Sequence, residues 1–347
     1  MSVPSATGEL RIGLMGAGWV TQHHLTGWQA LAGRARVVAI ADPARDKAQA
    51  RSDAFGIARV YEDAARMLAD GGLDAVDIAA PRAVHAELVR LVAATGLPIL
   101  CQKPLAPTLQ EAEQLVADVG DASRLMVHEN WRFRSYYRDA AAWLQAGRIG
   151  RVKAARLVLA TSGTVPDAQG LYPALERQPF MRTETRMLVA EVLIHHLDTL
   201  RMLLGPLSVK AAALSRTCPV IAGEDGAVIQ LETEEGAGIG VFASFAVHGA
   251  PPSQADWLEI IGETGTLRLD GATLSCIGPA PQTQHYDLAE AYQGSYSATL
   301  AHFVDALASG APFETAPADN LETLRLVEDC YRLSGWTAGN RREGNHE

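Results

Sequence analysis

Short apolar runs alternate with amphipathic stretches through the first third of the chain. Leu10-Arg11-Ile12-Gly13-Leu14-Met15 reads as a strand, with a helix from about Val20 to Leu31 after it. Arg36–Ala41, Arg59-Val60, Ala75–Ala79, Leu97–Cys101 and Arg124–Val127 continue the strands. Between them residues 44–55, 62–69, 84–95 and 109–119 have helical spacing, and Gly96 is a suitable stop for the helix before it. Strands and helices alternating at these lengths predict a parallel sheet covered on both faces.

The pattern changes near residue 130. A helix at Tyr136–Ala146 leads to a long strand, Val152–Thr161. Residues 162–182 hold Gly, Pro and aromatics without a period and read as an ordered loop. A helix at about Glu184–Leu204 precedes strand-like segments at 208–215, 226–232, 238–247, 257–262 and 265–269. Glu234-Glu235-Gly236 and Gly262-Glu263-Thr264-Gly265 suit hairpin turns. Helices at about 298–308 and 318–334 close the chain, and the tail Gly339–Glu347 is expected to be disordered. The expected second domain is α+β, with helices and a large, mostly antiparallel, open-faced sheet. The boundary falls between residues 128 and 129, and helix 318–334 is expected to pack back on the first domain.

Composition narrows the partners. The 347 residues carry a formal charge of -10 without Lys/Arg runs, which argues against nucleic acid or an anionic membrane surface. No apolar stretch is long enough to span a bilayer, and Met1–Glu9 lacks the features of a signal peptide. Cys101, Cys218, Cys276 and Cys330 are far apart with no C-x-x-C pair, so no metal site is expected and reduced thiols in a cytoplasmic protein are. Lysine is scarce: Lys47, Lys103, Lys153 and Lys210 are all there are. Keeping one in Gln102-Lys103-Pro104, at a strand end, suits use of its compact, titratable ammonium.

Gly13-Leu14-Met15-Gly16-Ala17-Gly18-Trp19-Val20-Thr21 links the first strand to the first helix. Gly16 permits a tight turn, and Gly18 lets the backbone approach a pyrophosphate held at the helix N-terminus. Thr21 stands where a third small residue belongs. Asp42 ends the second strand about 20 residues on, as a ribose-binding carboxylate does in a Rossmann doubly wound sheet. That carboxylate favours NAD over NADP, while Arg45 nearby would accommodate a 2′-phosphate and keeps NADP open. Residues 1–128 are thus read as a Rossmann dinucleotide-binding domain and 129–347 as a substrate and oligomerisation domain. An open sheet face suggests self-association as a homodimer or homotetramer.

On a helix Glu191 and His195 are neighbours, with Asp198 on the same stripe and His196 about a quarter-turn away. A carboxylate beside an imidazole supports the protonated ring that a general base becomes. The same spacing suits a solvated pair or a core histidine.

With these pieces assembled, the chain resembles the Gfo/Idh/MocA oxidoreductases (glucose–fructose oxidoreductase, inositol dehydrogenase and relatives). The likeness rests on the glycine segment, Asp42-Pro43, and Asp74–Pro81 with His85. It continues through Gln102-Lys103-Pro104, Asn130-Trp131-Arg132-Phe133, and Glu191–Asp198 running to Gly205. The resemblance implies catalysis by Lys103, Glu191 and His195. It implies cofactor contacts from Gly16, Ala17, Gly18, Trp19, Val20, Asp42, Arg45, Ala80, Pro81, His85, Gln102, Lys103 and Asn130. Two positions depart from the family pattern, with Gln102 where Glu is usual and Glu191 where Asp is usual; Gln102 brings no negative charge. Substrate candidates are Trp131, Arg132, Tyr172, Gln178, His196 and Asp198, with Arg134, Phe180 and Arg182 beside them. Asn130–Tyr137 with Arg177–Phe180 resembles members acting on branched pentoses such as apiose.

The expectation is an NAD-dependent dehydrogenase acting on a sugar or polyol hydroxyl. An NAD-dependent glycosidase of the same family and a silent NAD-binding sensor are the alternatives.

Overall fold

A computed structural model describes residues 8–253 and 256–337, so the tail Gly339–Glu347 lies outside it. The chain divides into two compact units: residues up to 134 with 289–324, and 135–288 with the remainder. Residues 129–134 and 289–324, expected in the second domain, thus belong to the first unit.

The first unit holds β1 (Leu10–Met15), α1 (Thr21–Gln29), β2 (Ala35–Ala41), α2 (Arg45–Phe55), β3 (Arg59–Tyr61) and α3 (Ala64–Ala69). It continues with β4 (Ala75–Ile78), α4 (His85–Ala93), β5 (Ile99–Gln102), α5 (Leu109–Val119) and β6 (Leu125–His128). The strands form a parallel sheet in the order β3-β2-β1-β4-β5-β6. Every residue of β4, β5 and β6 is buried, as a parallel sheet covered on both faces requires. Alternate side chains separate the two faces. Ile99 and Cys101 join a core with Val76, Val89, Leu115 and Val127, whereas Leu100 joins Ile12, Trp28, Leu300 and Phe303 on the other side.

Leu300 and Phe303 belong to the helix Leu288–Ser309, and this explains the returning segment. A Cβ on Gly27 of α1 would come within 2.7 Å of Leu300 Cδ1, so the two helices approach closely because Gly27 has none. The helix also begins ten residues earlier than its expected start near 298. Its first half, with Gly294 and several small residues, lacks a clear apolar period.

The second unit holds α6 (Ser135–Gln145), β7 (Val152–Ala160), α7 (Pro173–Arg177), α8 (Ile194–Leu204), β8 (Leu207–Ser215), β9 (Gly226–Thr233) and β10 (Gly238–Ser244). Then come β11 (Trp257–Gly262), β12 (Thr266–Asp270), β13 (Thr273–Ile277) and β14 (Gln282–His285). The helix Leu288–Ser309 is α9, and α10 spans Pro317–Ser334. The eight strands follow the order β14-β13-β12-β11-β7-β10-β9-β8; among the described residues β7 and β10 run parallel and the other pairs antiparallel. Along β10 exposed and buried residues alternate, which leaves one face of the sheet open. Two strands exceed the sequence expectation. β13 follows a two-residue turn at Gly271-Ala272, and β14 is a short polar edge strand without apolar alternation. The expected loop 162–182 contains α7 and a short 3₁₀ turn at Pro179–Arg182.

Candidate active site

The parallel sheet reverses its order between β1 and β4, and ligands of such sheets bind in the crevice at the strand carboxyl ends there. Gly16 follows β1 with φ +107°, and a Cβ on it would lie 2.5 Å from the carbonyl oxygen of Ala79 at the end of β4. A Cβ on Gly18 would meet nothing within 4 Å, so the backbone is open to close approach at that point. α1 starts without a side-chain cap and without an acidic residue in its first turn, which leaves its positive end suited to an anion. Asp42 accepts from the backbone N–H of Ala17 at 2.7 Å and of Ala44 at 2.8 Å, so it pins the turn; each oxygen keeps a lone pair for a ribose hydroxyl. Arg45 faces Glu62 at 3.8 Å, both well exposed. Trp19 and Val20 lead into α1, and the exposed Trp19 ring stands edge-on to His23. Arg51, which the sequence reading missed, donates to the Gly18 carbonyl at 3.1 Å; its signal was a basic position on α2 facing the turn. These features fit a dinucleotide.

His85 joins the loops that follow β4 and β5. Its ring nitrogens lie 2.8 Å from the carbonyl oxygens of Pro104 and Ala80, which holds Ala80-Pro81 against the Lys103-Pro104 segment. The Lys103–Pro104 peptide is cis. Gln102 is buried at the end of β5, and its Oε1 accepts from the backbone N–H of Lys103 at 2.8 Å. Lys103 itself is half-buried. Behind Gln102 lie His24, His128, Asp77 and Trp28, none of them among the expected site residues. A charged Asp77 inside an otherwise apolar strand, and His24 four residues before Trp28 on α1, were the available signals.

The segment after β6 packs inward. Asn130 donates to the Ser295 hydroxyl at 2.8 Å. The Arg132 guanidinium is buried and bonds Asp319 at 2.8 Å and the Glu314 carbonyl at 3.4 Å, which ties residues 314–319 to the Rossmann unit. Trp131 is buried with the Arg134 guanidinium 3.3 Å above its ring. Substrate roles for Trp131 and Arg132 therefore have to coexist with these internal bonds.

In the second unit the expected single helix 184–204 is two. Leu188–Leu193 is a π-helix, and only from Ile194 does the α-helix run. Its free N–H groups explain the start: Glu224 accepts from Met187 at 3.1 Å and Val189 at 2.9 Å, and the Tyr331 hydroxyl accepts from Ala190 at 3.2 Å. Burial raises the Glu224 carboxyl above its ordinary range, against these hydrogen bonds. Glu191 sits in the wider π-turn and His195 in the regular one, so the spacing of four does not have uniform α-helical geometry. His195 is buried, and its carbonyl accepts from the Thr199 hydroxyl. His196 Nε2 lies 2.9 Å from Asp256 Oδ1, and Asp256 Oδ2 also accepts from the hydroxyls of Tyr137 at 2.8 Å and Tyr136 at 3.3 Å. His196 is thus held in a buried network, and Asp198 is buried with Arg201 at 3.9 Å. Tyr172 and Gln178 flank α7 half-buried; beyond them Phe180 is exposed and Arg182 bonds Glu176. Among the described residues no cluster of three His, Cys, Asp or Glu could hold a metal, and no helix is long and apolar enough to cross a membrane.

A doubly wound sheet with an open glycine turn at its switch point defines a dinucleotide-binding fold. Residues 10–129 match the GFO_IDH_MocA oxidoreductase family with its NAD-binding Rossmann fold, and residues 137–268 match the GFO/IDH/MocA C-terminal domain. The chain belongs to the Gfo/Idh/MocA family and is an NAD-binding dehydrogenase acting on CH–OH groups. It is 35% identical to a D-apiose dehydrogenase of Paraburkholderia graminis over 92% of this chain and 86% of that one. A D-apiose dehydrogenase of Rhizobium rhizogenes is 34% identical over 93% and 94% of the two chains. An Agrobacterium radiobacter oxidoreductase, solved with NAD+, L-tartaric acid and magnesium, superposes with a TM-score of 0.87 at 33% identity, covering 94% of this chain and 96% of that one.

Proposed function

We propose that the protein oxidises a secondary or hemiacetal hydroxyl of a sugar or polyol, with D-apiose the first candidate. NAD, when bound, supplies the hydride acceptor. His195 takes the hydroxyl proton, with Glu191 favouring the imidazolium, and Lys103 polarises the same oxygen. Tyr172 and Gln178 provide a ring face and an amide for hydroxyl recognition. The observation that carries the reading is the position of Lys103, at the end of β5 on the same carboxyl-end edge of the sheet as the nucleotide turn, with its backbone fixed by Gln102. The likeness to two D-apiose dehydrogenases supports the substrate class. Four buried free thiols are in keeping with a cytoplasmic enzyme, and the open sheet face with a homodimer or homotetramer.

The test is a screen of D-apiose, inositol and L-tartrate for reduction of NAD and NADP, followed by NADH absorbance. Turnover with D-apiose is expected, and Lys103→Ala should lower it by roughly 10²–10⁴ while NADH binding is largely kept. Wild-type turnover in Lys103→Ala would sink the assigned chemistry. Failure of D-apiose alongside turnover of another compound would replace the substrate.

A further inference from the structure

Gln102 precedes Lys103, and its amide has one orientation that its neighbours allow. The backbone N–H of Lys103 can only donate, so the atom facing it at 2.8 Å is Oε1. Nε2 therefore directs its two protons at ring nitrogens, His24 Nε2 at 3.0 Å and His128 Nδ1 at 3.4 Å. A donor facing His24 Nε2 makes that nitrogen an acceptor. The His24 proton is then on Nδ1, which donates to Asp77 Oδ2 at 2.8 Å. The same carboxylate oxygen accepts from Trp28 Nε1 at 2.8 Å. All these side chains are buried, and the His24 and His128 rings stack with centroids 4.3 Å apart.

We propose that Asp77, His24 and Gln102 form a directional hydrogen-bond chain that positions Lys103 in the NAD site, built to work with an uncharged side chain at position 102. A carboxylate there would satisfy the Lys103 N–H but present a lone pair to the lone pair of His24 Nε2. In a dry site that contact holds only if a proton enters between them. The amide and the imidazole are therefore a matched pair, and an uncharged side chain at position 102 fixes the Lys103 backbone. His24 and Gln102 are positioning residues that act through the Lys103 backbone. The hydrogen-bond directions stand alone; their catalytic consequence rests on the role of Lys103 proposed above.

Nitrogen-15 spectra of the histidine rings in the intact protein, with His24 assigned by its loss in His24→Gln, should show Nδ1 protonated and Nε2 unprotonated at neutral pH. A protonated His24 Nε2 overturns the chain. The second readout is NADH binding, which reads the placement of the Lys103-Pro104 backbone rather than the lysine side chain, followed by quenching of tryptophan fluorescence between about pH 6 and about pH 9. Gln102→Met should weaken binding by a similar factor across that range. Gln102→Glu should approach wild type at the acid end and fall about tenfold behind it at the alkaline end, as the bridging proton leaves. Equal losses in both variants at every pH overturn the proposal, and so does unchanged binding in both. A Lys103→Ala variant that kept its turnover would remove the catalytic role of the lysine while leaving the tautomer and the Gln102→Glu pH profile as expected.

Discussion

The carboxylate of Asp42 holds the backbone N–H of Ala17 at 2.7 Å, so the residue at the end of β2 also shapes the glycine turn after β1. Its other oxygen takes the N–H of Ala44 at 2.8 Å. Asp42→Ala removes a turn-forming acceptor together with the carboxylate proposed to bind the ribose. NADH affinity should fall roughly tenfold to a hundredfold, and preference over NADPH should shrink as the repelling charge goes. Fluorescence titration with both nucleotides measures this, and unchanged NADH affinity would refute the double role.

Asp256 is the hub of the buried network in the second unit, contacting His196, Tyr137 and Tyr136. Removing the shared acceptor leaves three buried donors desolvated and unmatched. Asp256→Ala should therefore cost about 3–5 kcal/mol of unfolding free energy. Urea denaturation reads this directly, and a wild-type midpoint would show that the hub carries no weight.

The parallel half of the fold is legible because each strand is a short apolar run and each helix lies between two of them. The glycine turn, Asp42 and Lys103 are legible for a related reason: the chemistry proposed for them needs particular residue types at strand ends. The network behind Gln102 is harder, because it joins residues 24, 77, 102 and 128, and only the sheet order brings them together. The π-helix is invisible to a spacing argument, since it depends on Glu224 and Tyr331 reaching its first turn from afar. Strand β14 fails a period test because its residues are polar and mostly exposed.

Arg11 and Asp74 give a pH-dependent contribution. The guanidinium donates through two nitrogens, each at 2.9 Å, and the Arg11 backbone N–H adds a bond at 2.8 Å. The Arg11 side chain thereby holds the Asp74 carboxyl below its ordinary range. A depressed folded-state value means the stabilisation is present above the unfolded value and is lost as pH falls through the folded one. Asp74→Asn should cost about 1–2 kcal/mol at neutral pH, and the gap to wild type should close below about pH 4. A gap that does not change with pH in urea melts would exclude this origin.

The open face of the eight-stranded sheet sets the last prediction. Val228, Phe242, Val158 and Trp257 stand in one row across β9, β10, β7 and β11, with Val228 56% and Phe242 46% exposed. In the next row Glu259 is buried between Arg156 at 2.9 Å and Arg268 at 2.7 Å, so its charge is already compensated within the sheet. A contiguous apolar row is a surface suited to a second copy of the same face. Phe242→Glu would place an unpaired carboxylate in that contact, whereas Phe242→Leu would keep it apolar. Light scattering should show a single-chain mass for Phe242→Glu and the wild-type mass for Phe242→Leu. A wild-type protein that is already a monomer would leave the face without the partner assigned to it.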